Sequence, residues 1–81
     1  MNHETFFPLP DLPEGMGARV RTLHLSGGMR RRLQDLGLVD GTRVTCIQRA
    51  AAGDPTAYLI RGAVIALRKS DAAQIEVGVV P

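Results

Sequence analysis

The segment Leu-Gln-Asp-Leu-Gly-Leu-Val-Asp-Gly-Thr-Arg-Val, residues 33–44, decides the fold of this chain. Its first four residues continue a helical pattern, and Gly37 stands where a left-handed residue ends a helix. Leu38 follows at the position where the chain folds back on the last helical turn. Asp40 and Gly41 then predict a tight turn that leads into an alternating strand. The segment therefore predicts a helix end, a turn and a strand start.

The residues before this segment predict a strand followed by the body of the helix. Residues 18–25 alternate, with Ala18, Val20, Thr22 and His24 on one face and Arg19, Arg21, Leu23 and Leu25 on the other. Ser26 is suited to be the helix N-cap. Met29, Leu33 and Leu36 have the spacing of one apolar helical face.

The residues after this segment predict four more strands. We expect strands at 42–49, 56–61, 64–68 and 75–79, a loop at 50–55, a two-residue connection at Gly62-Ala63, and a helical turn over 71–74 capped by Ser70. The chain is thus predicted to be mainly β, with about five strands, one inserted helix and a short helical turn before the last strand. Such short strands with frequent turns are typical of a small barrel or sandwich.

The first 17 residues have a different composition. Pro8, Pro10 and Pro13 lack a backbone donor and favour extended chain. We therefore expect an irregular, extended N-terminal arm at 1–17, followed by one barrel domain at 18–81.

Charge and composition restrict the classes of function. The chain has 81 residues, 44% of them hydrophobic, and a net charge of +2, so its bulk charge requires no polyanionic partner. The run Arg30-Arg31-Arg32 is either a phosphate-binding patch or a solvated helix face from which one arginine meets a carboxylate on a protein partner. Few aromatic residues are present for base stacking, so we expect no nucleic acid partner.

Catalytic and cofactor motifs are missing from the sequence. No histidine has neighbours that indicate a triad, no Gly-rich phosphate loop contains a lysine, and the carboxylates are scattered singly. We expect neither an enzyme nor a cofactor. The single cysteine, and the lack of a signal peptide or a spanning apolar run, favour a cytoplasmic protein without membrane insertion.

The metal donors of the chain are His3, Glu4, His24 and Cys46. Cys46 lies in a predicted strand and is expected to be buried as a small hydrophobic residue. His3, Glu4 and His24 are weak surface candidates that could collect a divalent ion at a contact between chains. No closed metal site is expected within one chain.

A partner-binding surface is predicted where the first strand approaches the helix. Leu23, Leu25 and Met29 surround the glycine-softened junction at 26–28, and Arg30 and Leu33 continue this surface along the helix. A barrel this small is expected to leave some of this apolar surface open as a groove. The alternative interpretation, in which the same leucines are ordinary core, stays open at this point.

Three blocks of the sequence follow one another at a characteristic spacing. They are Arg-Leu-Gln-Asp-Leu-Gly-Leu-Val-Asp-Gly-Thr-Arg-Val at 32–44, Gly-Asp-Pro at 53–55, and the stretch from Arg-Gly at 61–62 through Ile-Ala-Leu-Arg at 65–68 to Ile-Glu-Val at 75–77. Together they resemble the FeoA family, a small component of bacterial ferrous iron uptake. Asp40 stands where the family often has proline, and Asp71 where it usually has glutamate.

The resemblance implies an SH3-like β-barrel and a partner, FeoB, a membrane permease with a cytosolic GTP-binding domain. It implies an accessory protein that works at the inner face of the cytoplasmic membrane through this partner. Two alternatives stay open: a stand-alone domain related to the C-terminal domain of iron-dependent repressors, and a small basic barrel that binds nucleic acid. Edge strands of such a barrel can also pair between chains, as in a homo-oligomer.

Overall fold

The chain forms a single antiparallel sheet with a helix inserted between two of its strands. A computed structural model describes residues 3–80. In chain order, the elements are β1 (Thr5–Pro8), a 3-10 turn (Leu9–Asp11), β2 (Gly17–Leu23), α1 (Gly27–Asp35), β3 (Arg43–Arg49), β4 (Thr56–Ile60), β5 (Ala63–Leu67), α2 (Lys69–Ala72) and β6 (Ile75–Val79). The strand order is β1-β6-β2-β3-β4-β5, so β1 and β5 are the two edges.

The core is built from the inward-facing residues of the strands together with leucines from the connecting segments. Aliphatic side chains dominate it, and Tyr58 is its largest member. The largest fully buried side chains of the core are Leu9, Leu12, Val20, Leu33, Leu38, Val44, Cys46, Tyr58, Ile60, Ile75 and Val77. The predicted mainly-β class with an inserted helix and a short helical turn is confirmed.

Helix α1 ends in the glycine turn that the sequence predicts. The Gly37 N–H donates to the Gln34 carbonyl at 3.0 Å, and the Leu38 N–H donates to the Leu33 carbonyl at 3.0 Å. These are the two bonds of a Schellman motif, and Gly37 has the required positive φ of +107°. The motif turns Leu38 directly into the core, where it is fully buried.

The predicted tight turn before β3 is also present. The Thr42 N–H donates to the Val39 carbonyl at 3.0 Å, which closes a four-residue turn around Asp40 and Gly41. Gly41 has a φ of +88°, as this turn requires at its third position. The chain therefore passes from the end of α1 into β3 without an irregular loop.

A β-bulge in β2 changes which face of the strand points inward. The register against β6 shifts between Val20 and Thr22, which leaves Arg21 as the extra residue. Val20 is buried before the bulge, and Leu23 is buried after it. The predicted grouping of Ala18 with Val20 on one face is therefore correct. Beyond the bulge the alternation is inverted, so Leu23, and not Thr22, lies on the same face as Val20.

The N-terminal segment contains regular structure that the sequence analysis misses. Residues 5–8 form β1, which pairs with β6 from Thr5 opposite Val79 to Pro8 opposite Glu76. A 3-10 turn follows, and its Leu9 is fully buried. The three prolines of this segment predict irregular chain, but an edge strand such as β1 tolerates proline. The division of the chain at residue 17 stays a prediction.

Two local predictions differ from the structure by one or two residues, and a third lacks its expected hydrogen bond. The β4–β5 hairpin turns through Arg61 and Gly62, because Ile60 pairs with Ala63. The last helical turn starts earlier, with Arg68 and not Ser70 as its N-cap. Ser26 occupies the N-cap position of α1, but its side chain makes no capping bond.

Replacing Gly37 by alanine is expected to destabilise the protein. The left-handed φ alone costs about 1–2 kcal/mol for a residue with a Cβ, and that Cβ would overlap the Arg61 side chain. Gly28→Ala is the matched control, since Gly28 is helical, has open space around it, and should gain about 0.5 kcal/mol with alanine. Urea denaturation measures both, and equal effects of the two substitutions would contradict the assigned turn.

Cys46 is expected to resist thiol reagents in the folded protein. Its side chain is fully buried opposite Tyr58, and this burial raises the pKa of the Cys46 thiol, so the reactive thiolate is disfavoured. At about pH 8, labelling should be slow in buffer and complete in denaturant. Rapid labelling of the folded protein would show that β3 opens easily, and absorbance of the released thiol product gives the rate.

Candidate partner-binding surface

A shallow groove runs between helix α1 and the edge strand β5. Met29 and Leu36 line it from the helix, and Ile65 and Leu67 line it from the strand, with Leu33 between them. Its volume is about 230 Å³. Met29 is 38% exposed and Leu36 39% exposed, so the groove presents apolar surface that the chain does not cover. Such surface is typical of a protein contact site.

The geometry of α1 explains why its apolar face is only partly covered. Met29 and Leu36 are seven residues apart, which corresponds to about 10 Å along the helix axis. Only Leu33, in the middle of this face, reaches the core. The sequence predicts all three residues on one face, but it does not show that both ends extend past the barrel.

The rim of the groove is mostly cationic. Arg32 on the helix and Arg68 after the strand both line the groove and are exposed. Asp71 also lines it and is half-buried. An apolar floor with a mostly cationic rim suits a partner segment that combines apolar side chains with acidic ones around them.

The structure separates the five residues that the sequence analysis grouped as a partner-binding surface. Leu23, Leu25 and Leu33 are each at most 8% exposed and belong to the core. Leu23 and Leu25 were expected on an open face, and the bulge in β2 places them inside. Met29 lines the open groove, so the surface accessible to a partner is displaced from the strand–helix junction toward β5.

Arg30, the fifth of these residues, is tied to the fold. Its guanidinium donates to the Leu23 carbonyl, and the side chain is half-buried. Arg31 and Arg32 are exposed. The run of three arginines is therefore not one uniform patch, because one member holds the helix to the end of β2.

Leu36 and the β5 residues are the members of the groove that the sequence analysis did not assign to a site. Leu36 is predicted only to share one apolar helical face with Met29 and Leu33. Ile65 was placed in a strand without a role. One signal could have found them, since residues 63–67 form a run of apolar residues without a charged or polar side chain.

The candidate metal donors do not come together. Glu4 accepts hydrogen bonds from the Arg21 Nε at 2.9 Å and pairs with the Arg21 guanidinium at 2.7 Å, so a cation would have to displace this arginine. His3 and His24 are exposed. Among residues 3–80, no group of three or more histidine, cysteine or acidic side chains is placed to hold a metal ion.

Arg21 also reaches a second carboxylate. Its guanidinium pairs with Asp40 at 3.0 Å, and these two partners raise the pKa of Arg21 further above its usual range. The side chain therefore connects the start of β1 with the turn that precedes β3.

Neither helix in the described part of the chain is long and apolar enough to span a bilayer.

Comparison with known proteins identifies relatives along almost the whole chain. The family model described as the FeoA domain matches residues 7–79. A Fe(2+) transport protein A/Fe(2+) transporter FeoB fusion protein from Porphyromonas gingivalis is 36% identical over 69 residues, which are 85% of this chain. The matched region is 8% of the fusion protein, so the chain corresponds to a small part of that relative.

Solved structures share the architecture. The FeoA protein of Chlorobium tepidum superposes with a TM-score of 0.86 at 33% identity, over 90% of this chain and 70% of that one. The zinc-complexed FeoA of Stenotrophomonas maltophilia, which is described as an SH3 domain protein, gives a TM-score of 0.75 at 30% identity, over 93% and 89% of the two chains. The expected SH3-like fold is thereby confirmed.

A manganese-dependent transcriptional repressor also superposes, with a TM-score of 0.76 over 93% of this chain and 42% of that one. At 19% identity, this similarity shows a shared fold and nothing more. The family match over residues 7–79, the identity to the fusion protein and the similar structures agree with one another. This chain therefore belongs to the FeoA domain family.

Proposed function

We propose that this chain is an accessory protein of bacterial ferrous iron uptake that binds the cytosolic part of a FeoB-like permease and modulates its transport. In this proposal, the chain acts in the cytoplasm, at the inner face of the membrane to which its partner belongs. It contacts the partner through the groove between α1 and β5, defined by Met29, Leu36 and Ile65.

The observation that supports this proposal most strongly is the fused relative. In the Porphyromonas gingivalis protein, a sequence similar to this chain is joined to the transporter in one polypeptide. Fusion holds two modules at high effective concentration, which favours a contact that is weak between separate chains. A small domain with a shallow groove is suited to such a weak, regulated contact.

The name of the Stenotrophomonas maltophilia relative supports the same role. That protein is described as possibly acting as a bacterial ferrous iron transport activating factor. An activating factor needs a binding surface and no reaction centre of its own. The uncovered apolar side chains of this groove supply such a surface.

The proposal assigns the charged rim to partner selection. Arg32 and Arg68 flank the apolar floor, so an acidic partner surface is attracted and a basic one is repelled. Rim charges of this kind act mainly on the association rate and on its salt dependence. The alternatives of a DNA-linked regulator and a nucleic-acid binder have no comparable observation in their favour.

Replacing Met29 by aspartate is expected to weaken binding to the permease by about tenfold or more, because a charge would be buried in the contact. Asp is tolerated in the first turn of a helix, where it favours the positive end of the helix dipole, so the variant should keep its fold. Affinity for the detergent-solubilised permease, measured by biolayer interferometry, checks this expectation.

Met16→Asp is the matched control, since Met16 is another exposed methionine, 53% accessible and outside the groove. It should bind like the unmodified chain. The reverse result, with Met16→Asp weakened and Met29→Asp unaffected, would move the contact surface to the side of the barrel where β1 lies.

A further inference from the structure

We propose that the edge of β5 is itself a binding site, which accepts an extended segment of the partner as a seventh strand of the sheet. The inference deepens the proposed function, on which it rests, by naming the chemistry of the segment: apolar in its middle and acidic at both ends. Its main chain would bond to β5, and its side chains on one face would enter the groove beside α1.

The register of the β4–β5 hairpin identifies the free backbone groups. Ile60 and Ala63 flank the two-residue turn, and in such a hairpin this pair is hydrogen-bonded. Because hydrogen-bonded and non-bonded pairs alternate, Ile65 and Leu67 also bond to β4. The N–H and C=O groups of Val64 and Ala66 therefore point away from the sheet, where no described strand pairs with them.

The composition of β5 makes this edge unusually receptive. Its five residues, Ala-Val-Ile-Ala-Leu, include no charge, no proline and no glycine. Proteins normally protect edges with such residues. Val64, the second residue of this edge strand, is 65% exposed, more than the other large hydrophobic residues of the described chain.

The opposite edge has the protection that β5 lacks. Strand β1 has four residues and ends at Pro8. A short edge strand that contains a proline is a poor template for pairing. The two edges therefore differ in kind, and the open one lies beside the apolar groove.

The charges around β5 select the occupant. Arg61 precedes the strand, Arg68 and Lys69 follow it, and Arg32 faces it across the groove; all four are exposed. Against these, Asp71 is the acidic side chain that lines the groove. Carboxylates at both ends of an added strand would meet these cations. Its apolar side chains on the groove face would cover Met29 and Leu36, and those on the opposite face would lie beside Val64.

A second copy of this chain fits the same edge poorly. Arg61 precedes β5 and Arg68 and Lys69 follow it, so a second copy added in either direction would bring cations close to cations. Like charges that face each other across strands are destabilising. The edge therefore favours a different chain with acidic flanks over self-association.

Hydrogen–deuterium exchange of the full chain with the detergent-solubilised FeoB-like permease tests the inference directly. In the free protein, the Val64 and Ala66 amides should exchange rapidly, and in the complex both should slow by about tenfold or more. Binding that leaves these two amides unprotected would overturn the inference and would leave the proposed function standing. A lack of any binding would overturn both.

Val64→Pro removes one outward N–H at a position where an edge strand tolerates proline, and binding should fall by about tenfold or more. Val64→Thr is its control, since it keeps the N–H and the branched shape and should bind within about twofold. Unchanged binding of a folded Val64→Pro variant would contradict strand addition. Self-association that this variant abolishes would instead identify a second copy as the occupant.

Arg68→Glu provides a second test that leaves the strand backbone intact. Reversing this charge should weaken binding by about tenfold and flatten its salt dependence, because the segment is expected to end in carboxylates. Arg31→Glu is the control, since Arg31 is exposed on α1 outside the groove. Equal effects of the two reversals would contradict specific recognition at the end of β5.

Discussion

The hydrogen bond from the Leu38 N–H to the Leu33 carbonyl fixes where helix α1 lies on the barrel. This bond anchors the end of the helix, because the two residues that it joins, Leu33 and Leu38, are both buried in the core. The close approach of the Arg61 side chain to Gly37 then joins the helix end to the β4–β5 turn. Both walls of the groove, α1 and β5, are thus held to one point, and their separation depends on this turn.

The bulge at Arg21 has a similar influence on the other side of the helix. The bulge turns Leu23 into the core, and Arg21 itself forms ion pairs with Glu4 and Asp40. The pair with Asp40 is open to solvent and is screened by it, whereas the pair with Glu4 is half-buried. Their main effect is geometric, because one side chain spans the N-terminal strand and the turn before β3.

Much of the fold could be predicted from local signals. The glycine turn at residue 37, the turn at Gly41 and the alternation of β3, β4 and β6 each depend on residues close in sequence. The bulge in β2 and the pairing of β1 with β6 depend on distant strands, so residue patterns do not reveal them. For the same reason, the shared helical face of Met29, Leu33 and Leu36 could be read from the sequence, while the burial of Leu23 and the exposure of Leu36 could not.

The unequal edges of the sheet also bear on solubility at high concentration. A head-to-tail fibre requires every molecule to offer two complementary sites, one for each neighbour. Because Pro8 disfavours strand pairing at the β1 edge, a molecule that binds through its β5 edge offers no second edge for a further molecule. Edge-to-edge association of the sheets therefore ends at a finite complex, so the exposed apolar edge does not lead to fibres.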